Sequence, residues 1–167
     1  MYRTGIMTLS DKGSQGLRED KSGPLIQTML ESSGIYEVVK TIILPDDIET
    51  IKNALIDWAD NDDLDLILTT GGTGFSQRDW TPEATMAVCD RTAPGIPEAM
   101  RYASLQITPK AMLSRAAAGI RKKTLIINLP GSPKAVKENL EAILPALDHG
   151  LEMLLSSGSA DCGQPVK

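Results

Sequence analysis

The sequence has few of the side chains that build disulfide frameworks, zinc sites and base-stacking surfaces. Its 167 residues include two cysteines, one histidine and only 4% aromatic residues. Cys89 and Cys162 form no C-x-x-C pair and no cluster with histidine, which argues against a structural zinc site and for a reducing compartment. We therefore expect a cytoplasmic protein. The net charge of -5 and the scarcity of aromatic residues argue against a nucleic-acid partner.

Long apolar runs are also missing from the sequence. No stretch approaches the roughly 20 apolar residues that span a bilayer, and the N-terminus shows no signal-peptide pattern. We therefore expect no membrane association. A chain of this length fits a single domain. We predict that domain over residues 1–155 and a flexible tail over residues 156–167, which are polar and contain glycine.

Charge is distributed unevenly along the chain. Residues 1–100 carry a balance of -9, residues 101–140 a balance of +7, and the remaining residues a balance of -3. The basic segment includes Arg115, Arg121, Lys122, Lys123 and Lys134. Two interpretations stand at this point. The segment concentrates an anionic ligand in a cleft, or it forms an ordinary solvated face.

Hydrophobic patterning predicts alternating strands and helices. Four β-type runs are found at Tyr2–Leu9, Val38–Leu44, Leu64–Thr69 and Thr124–Leu129, whereas 112–121 has no clear pattern. Helices are predicted from Pro24 to Ser33, after Asp46-Asp47, after Thr81, from Ile96 to Gln106 and after Ser132. This alternation predicts a three-layer α/β/α sandwich with a mostly parallel sheet.

The stretch from Leu64 to Thr85 ends a strand in a glycine-rich turn. Gly71, Gly72 and Gly74 permit a sharp turn and a close approach of a ligand to backbone N–H groups. The string TTGGTG matches neither G-x-G-x-x-G nor the Walker pattern, so the pattern alone leaves open a ligand loop or a tight turn. Downstream, Asp79 offers a carboxylate for a metal ion or a reacting group.

Four polar loops follow the predicted strands. They are the Ser10–Ser14 loop, the Asp46-Asp47 pair, the glycine turn and the Pro130–Pro133 turn. In parallel sheets, ligands bind beyond the carboxyl ends of the strands. Each loop also has a simpler interpretation as a helix cap, with Asp46 or Asp47, Thr81 and Ser132 as N-cap residues. Whether the loops are neighbours depends on the strand order, which the patterning leaves open.

Several longer motifs occur in order along the chain. They are LPDD (44–47), TTGGTG with Asp79 and TPEAT (69–85), APGIPEAMR (93–101), LSR (113–115) and KTLIINLPGSPKAV (123–136). Together they resemble the molybdopterin adenylyltransferase family, which comprises MogA-type proteins, the G domain of gephyrin and its plant counterpart. The resemblance runs from Ser10-Asp11 to the final helix.

This resemblance implies an activity, an assembly and a set of site residues. ATP and molybdopterin would react with Mg²⁺ to give adenylyl-molybdopterin and pyrophosphate. The implied fold is MoaB/Mog-like with one antiparallel strand, and the implied assembly is a homotrimer, with a downstream metal-insertion protein as a candidate partner. The family's two essential aspartates correspond to Asp46 and Asp79, which we predict as catalytic residues and Mg²⁺ ligands. The implied substrate-binding residues are Ser10, Asp11, Gly71, Gly72, Thr73, Gly74, Glu83, Arg115, Gly131, Ser132, Pro133 and Lys134.

Two questions stay open. Trp80 replaces a small β-branched residue of the relatives; it either stacks on a ligand ring or packs against the loop, and we predict packing because tryptophan is mostly buried. The alternative function is a MoaB-like protein that binds molybdopterin as a scaffold without efficient transfer. The intact Arg78–Glu83 segment favours the enzyme.

Overall fold

Strands and helices alternate along the chain in the computed structural model, which describes residues 1–156. In chain order the elements are β1 (Tyr2–Leu9), α1 (Asp11–Ser14), α2 (Ser22–Ser32), β2 (Tyr36–Leu44), α3 (Ile48–Asp60), β3 (Leu66–Thr70), α4 (Thr81–Val88), β4 (Arg91–Thr92), α5 (Gly95–Leu105), a 3₁₀ helix (Pro109–Leu113), β5 (Ala118–Arg121), β6 (Thr124–Leu129) and α6 (Pro133–Leu155). Cys162 and the predicted tail beyond Ser156 lie outside the described residues.

The strands form one sheet in the order β2-β1-β3-β6-β5-β4. Strands β2, β1, β3 and β6 pair in parallel, whereas β5 is antiparallel to both of its neighbours. This arrangement confirms the predicted mostly parallel sheet with one antiparallel strand. Leu9 pairs with Leu44, Thr8 with Thr70 and Thr70 with Leu129. The carboxyl ends of the four parallel strands therefore lie side by side, and so do the loops that follow them.

Helices cover both faces of the sheet, which confirms the three-layer architecture. On one face, α2, α5 and α6 bury a core that includes Ile26, Met100 and Leu140. On the other face, α3 and α4 bury a second core that includes Leu55 and Ala84. The five residues of β3 are all buried, and its apolar residues Leu66, Ile67 and Leu68 alternate between these two cores, as expected for a central strand covered on both sides.

The interior of the sheet contains one buried polar group that joins four segments. The side chain of Asn128 donates to the hydroxyl oxygens of Thr69 at 3.0 Å and Thr85 at 2.8 Å. Its oxygen accepts from the backbone N–H of Ala117 at 3.2 Å. Because an unpaired buried amide costs free energy, these bonds specify how β6, β3, α4 and the approach to β5 fit together.

The structure differs from the sequence-based boundaries at several element ends. Helix α2 begins at Ser22 rather than Pro24, because the carboxylate of Asp20 accepts hydrogen bonds from the first two N–H groups of the helix. Thr81 is not the N-cap of α4 but its first residue, since its hydroxyl donates instead to the carbonyl of Gly71 at 3.0 Å. The unassigned segment 112–121 ends the 3₁₀ helix and forms β5.

Strand ends also differ from the prediction. Strand β2 begins at Tyr36, whose buried ring lies 5.7 Å from that of Tyr2, and β3 runs from Leu66 to Thr70. No helix within residues 1–156 is both long and apolar enough to cross a membrane.

Candidate active site

A cleft of about 770 Å³ opens at the carboxyl ends of the four parallel strands. The residues around it come from strand ends and from the loops that follow them: Thr8, Leu9, Ser10, Gly13, Arg18, Glu19, Asp20, Lys21, Ser22, Asp46, Thr70, Gly71, Gly72, Asp79, Gly131, Ser132 and Pro133. The strand order therefore brings together all four loops that the sequence placed at this edge.

The glycine turn lies at the floor of the cleft, directly after β3. Gly71 has φ +99° and Gly72 has φ +68°, a conformation that favours glycine. A Cβ on Gly71 would overlap the carbonyl oxygen of Leu9, and one on Gly72 would overlap the hydroxyl of Thr81. Gly131 approaches Gly71 so closely that its own Cβ would lie 3.4 Å from the Gly71 Cα. Because these glycines have no side chains, the backbone segments pack closely here. The space beside the turn stays open to a ligand in the cleft.

Asp79 closes the loop that follows this turn. Its Oδ2 accepts hydrogen bonds from the N–H groups of Gly74 and Ser76, both at 3.1 Å. Within the described part of the chain, the bonds to this carboxylate fall on Oδ2, so Oδ1 is available to a ligand in the cleft that Asp79 lines. The loop holds the carboxylate in one orientation before any ligand binds.

Asp46 reaches the cleft from the loop after β2. Its Oδ2 accepts from the N–H of Asp11, and its own N–H donates to Oδ1 of Asp11, each at 3.0 Å. Burial raises the pKa of the Asp46 carboxyl, and the negative charges of Asp11 and Asp79 add to the rise. The N-cap of α3 is the neighbouring Asp47, which accepts from the N–H of Thr50 at 2.9 Å.

Arg78, which the sequence analysis did not select, connects these loops. Its guanidinium donates from Nε and Nη2 to the two oxygens of Asp11, both at 2.9 Å. These bonds lower the pKa of the Asp11 carboxyl. Through Asp11, Arg78 links the Asp79 loop to Asp46. Its position directly before Asp79 was the one available signal, and spacing alone did not reveal its partner.

Arg115 and Glu83 lie behind the loop rather than in the cleft. The guanidinium of Arg115 pairs with Glu83 and donates to the carbonyl oxygens of Gly74 at 2.7 Å and Asp79 at 2.6 Å. Its backbone N–H donates to the carbonyl of Thr73 at 2.8 Å. Thr73, Gly74, Glu83 and Arg115 therefore support the loop without lining the cleft.

The other basic residues expected near the ligand lie elsewhere. Arg121 and Lys122 pair with Asp60. The Arg121–Lys123 turn directly precedes β6 and so lies at the amino-terminal end of that strand, opposite the cleft. The side chain of Lys134 is 80% exposed, with its Nζ 3.8 Å from Glu138, and it does not line the cleft. The basic side chains named for this segment therefore do not line the cleft.

The two flanking loops contribute helix starts to the cleft. The hydroxyl of Ser10 caps α1 by accepting from the N–H of Gly13 at 3.0 Å. The hydroxyl of Ser132 caps α6 by accepting from the N–H of Ala135 at 3.3 Å. Both residues line the cleft, together with Gly131 and Pro133.

A further part of the cleft comes from residues 18–22, here called the strap, which the sequence analysis did not select. Four consecutive charged side chains, from Arg18 to Lys21, line the cleft just before α2. The only sequence signal was an aspartate two residues before a Ser-Gly-Pro helix start, a capping pattern that by itself points to no ligand.

Trp80 is not buried as predicted. Its side chain is 47% exposed and does not line the cleft, although its Nε1 donates to the carbonyl of Gln77 at 3.0 Å. The residue serves as N-cap of α4. It therefore contacts its loop through this hydrogen bond while about half of the residue stays exposed.

The paired aspartates fit a divalent cation. The carboxylates of Asp46 and Asp79 line one cleft, where burial and nearby negative charges, including that of Asp79, raise the pKa of Asp46. A hard cation with oxygen ligands would offset this concentration of negative charge. Among residues 1–156, no group of three or more His, Cys, Asp or Glu side chains is arranged to hold a metal ion. Phosphate and water oxygens would have to supply the remaining ligands, as is common for Mg²⁺.

Comparisons with known proteins extend over most of the chain. Residues 5–149 match the sequence model of a family described as probable molybdopterin binding domain. A molybdopterin adenylyltransferase of Helicobacter pylori is 44% identical over 159 residues, 92% of this chain and 88% of that protein. Gephyrin of Dictyostelium discoideum is 47% identical over 91% of this chain and 22% of its own length. The crystal structure of the molybdopterin biosynthesis enzyme MoaB from Thermus thermophilus superposes with a TM-score of 0.87 at 50% identity, covering 92% and 96% of the chains.

Proposed function

Since this chain belongs to the molybdopterin adenylyltransferase family, we propose that it transfers AMP from ATP to molybdopterin in molybdenum cofactor biosynthesis. The products are adenylyl-molybdopterin and pyrophosphate. One observation carries the proposal: Asp46 and Asp79 reach a single cleft from two loops, beside a glycine turn that also lines it. The cleft volume of about 770 Å³ suits the 300–1,000 Å³ range of small-molecule sites.

In this reaction a phosphate oxygen of molybdopterin attacks the α-phosphorus of ATP, and the bond from that phosphorus to the pyrophosphate oxygen breaks. The chain's contribution is to hold the two substrates in line and to balance their charge. The glycine turn and the start of α6 orient phosphate oxygens through backbone N–H groups. Asp46 and Asp79 would hold Mg²⁺, which would supply positive charge beside the transferred phosphate. Alternatively, one of the aspartates orients a phosphate or a ribose hydroxyl.

The direct test is to incubate the protein with molybdopterin, ATP and Mg²⁺ and to quantify adenylyl-molybdopterin and pyrophosphate. We expect both products in equal amounts, and their loss when EDTA removes the metal. Failure to form either product, with both substrates bound, would overturn the proposal.

A second candidate function is molybdopterin binding without efficient transfer. It is supported by the high similarity to the structure of MoaB from Thermus thermophilus, because a scaffold role is the alternative for MoaB-like proteins. The same incubation separates the two, because a scaffold retains molybdopterin and releases no pyrophosphate. The carboxylates that face the cleft favour the transferase.

We extend the proposal to assembly and location. A homotrimer, a cytoplasmic location and transfer of the product to a metal-insertion protein are predictions that rest on the family resemblance. Large apolar side chains exposed on α5 and the following segment, Tyr102, Ile107 and Met112, support a contact between subunits, since exposed apolar patches commonly mark interfaces.

A further inference from the structure

The cleft must hold phosphate groups even though two carboxylates face it. ATP carries a triphosphate and molybdopterin a phosphate, and both approach Asp46 and Asp79. The cations expected from residues 101–140 do not line the cleft. Among the described residues that do, the basic side chains are Arg18 and Lys21. These two residues are thus the available sources of full positive charge.

The two kinds of charge come from loops that lead to helices on different faces of the sheet. Asp46 and Asp79 precede α3 and α4, which cover one face of the sheet, whereas the strap leads into α2 on the other face. Lys21 is the residue immediately before α2 and is positioned at its N-terminus. The partial positive charge at the start of this 11-residue helix adds to that of the lysine.

The end of the strap is held rigidly while its basic side chains stay exposed. Asp20 accepts from the hydroxyl of Thr8 at 2.7 Å and from the N–H groups of Ser22 at 3.1 Å and Gly23 at 3.0 Å. The hydroxyl of Ser22 donates to the carbonyl of Gly131 at 2.8 Å. These bonds connect the strap to the end of β1 and to the loop after β6. They also satisfy the Asp20 carboxylate, so that Glu19 is the strap's remaining acid.

Gly23 supports this arrangement by being small. A Cβ at this position would overlap the carboxylate of Asp20 and lie 3.0 Å from the hydroxyl oxygen of Thr8. The start of α2 is therefore shaped around the Asp20 carboxylate.

Resting on the function proposed above, we infer that the strap is the phosphate-binding side of the cleft, with Arg18 and Lys21 binding a substrate phosphate and Asp20 positioning them. The phosphate belongs either to ATP or to molybdopterin. Arginine matches phosphate through two parallel N–H donors, and lysine binds it as a point charge.

The test uses Arg18→Ala and Lys21→Ala, with Lys137→Ala as the matched control. Lys137 is an exposed lysine on α6 that does not line the cleft. Loss of one charge-assisted hydrogen bond should raise the Kd by about tenfold. The Kd of ATP and of molybdopterin are measured separately by calorimetry, and the KM of each in the transfer assay. The control should match the wild type, and Lys21→Arg should restore most of the affinity.

The two arms identify the phosphate. A Kd raised for ATP alone assigns the nucleotide, and one raised for molybdopterin alone assigns the pterin. Unchanged Kd values for both substrates in both variants would overturn the inference. The Kd values are measured independently of turnover. A protein that binds both substrates but forms no product would contradict the proposed transfer, and the Kd values would still test the role of the strap.

Asp20→Ala, which removes all three hydrogen bonds that the carboxylate accepts, separates positioning from simple electrostatics. Removing a negative charge from the cleft should strengthen anion binding if charge alone matters. If Asp20 positions the strap, the loss of its hydrogen bonds should raise the Kd and the KM of the same substrate, with a smaller change in kcat. Thermal unfolding checks that the Asp20 variant folds. If it does not fold, Arg18→Ala and Lys21→Ala still test the inference, because both replace exposed side chains.

Discussion

Asp11 and Asp46 bind each other through two hydrogen bonds of 3.0 Å, in which each backbone N–H donates to the other residue's carboxylate. The two residues follow adjacent parallel strands, β1 and β2. Arg78 donates two further bonds to Asp11 from the loop after β3. The positions of Asp46 and Asp79 are therefore coupled through Asp11, and the loops of three neighbouring strands act as one unit.

The first prediction concerns the two aspartates. Asp46→Asn and Asp79→Asn should each lower kcat by about 100-fold or more, because each removes a carboxylate proposed to hold Mg²⁺ beside the transferred phosphate. Asparagine keeps an oxygen that accepts the existing backbone bonds, so thermal unfolding should change little. Glu98→Gln, an exposed acid in the first turn of α5, serves as control. Turnover like that of the wild type in both aspartate variants would refute their roles.

The second prediction concerns Arg78. Arg78→Gln should lower kcat by about tenfold or more, since small displacements of positioned groups are costly. Asp11→Asn should lower kcat to a similar extent. The kcat of the double variant should be no lower than that of the less active single variant, because both substitutions disrupt the same linkage. Arg78→Lys should recover only part of the activity, as lysine cannot form the paired bonds.

For Arg78 the control is Arg91→Gln, an exposed arginine on β4 at the far edge of the sheet. Steady-state kinetics of all five variants check the prediction. Additive losses in the double variant would show that the two residues act independently.

The third prediction concerns the glycine turn. Gly72→Ala should lower the free energy of unfolding by about 1–3 kcal/mol, because alanine is strained at a positive φ and its Cβ would overlap the hydroxyl of Thr81. Gly95→Ala is the matched control. A Cβ there meets nothing within 4 Å at the start of α5. Urea denaturation measures both, and equal stability of the two variants would contradict the explanation.

The fourth prediction concerns pH. Hydrogen bonds from Arg121, at 3.0 and 2.6 Å, lower the pKa of the Asp60 carboxyl, and Lys122 adds to the effect. A lowered folded-state pKa stabilises the protein above the unfolded value of about 3.9, and the contribution disappears as the pH falls through the folded value. The difference in urea midpoint between the wild type and Asp60→Asn should therefore shrink from pH 7 to pH 3. A constant difference would exclude this linkage.

The fifth prediction concerns assembly. Light scattering at micromolar concentration should give the mass of a trimer, about three times 18.0 kDa. Replacing the exposed apolar residues Tyr102 and Met112 by aspartate should lower that mass if this surface forms the contact, because buried unpaired charges are costly. A monomeric wild-type protein would contradict the predicted homotrimer.

Patterning predicted the regular elements well where one physical signal dominated. The apolar runs of β1, β3 and β6 were located to within two residues because continuous burial leaves a strong signal. Strand β5 was missed, since Ala118–Arg121 is short and mixed in composition. The start of α4 was misplaced by one residue because Thr81 bonds to Gly71, ten positions earlier, instead of capping its own helix.

The site residues likewise divide into those with a clear local signal in the sequence and those without one. Gly71, Gly72 and Asp79 stood out by type and position, whereas the choice of Asp46 over Asp47 came from the family resemblance. The pairing of Asp11 with Arg78 spans 67 positions, and no local pattern records a contact of that range. In the sequence, the strap has the pattern of an ordinary helix start with Asp20 as the capping residue. This pattern does not show that the neighbouring side chains of Arg18 and Lys21 line the cleft.

The sequence by itself determined the alternation of strands and helices, the left-handed glycine turn and the polar loops at the carboxyl ends, because each depends on local conformation and hydrophobic periodicity. Only the tertiary structure decided which loops are neighbours. The order β2-β1-β3-β6 places the loops of Asp46, Asp11 and Asp79 side by side. The fold also leaves Arg121 and Lys122 paired with Asp60, away from the cleft, and brings Arg18 and Lys21 to the cleft that the carboxylates line. These relations follow from the packing of two cores against one sheet, which joins residues that lie far apart in the chain.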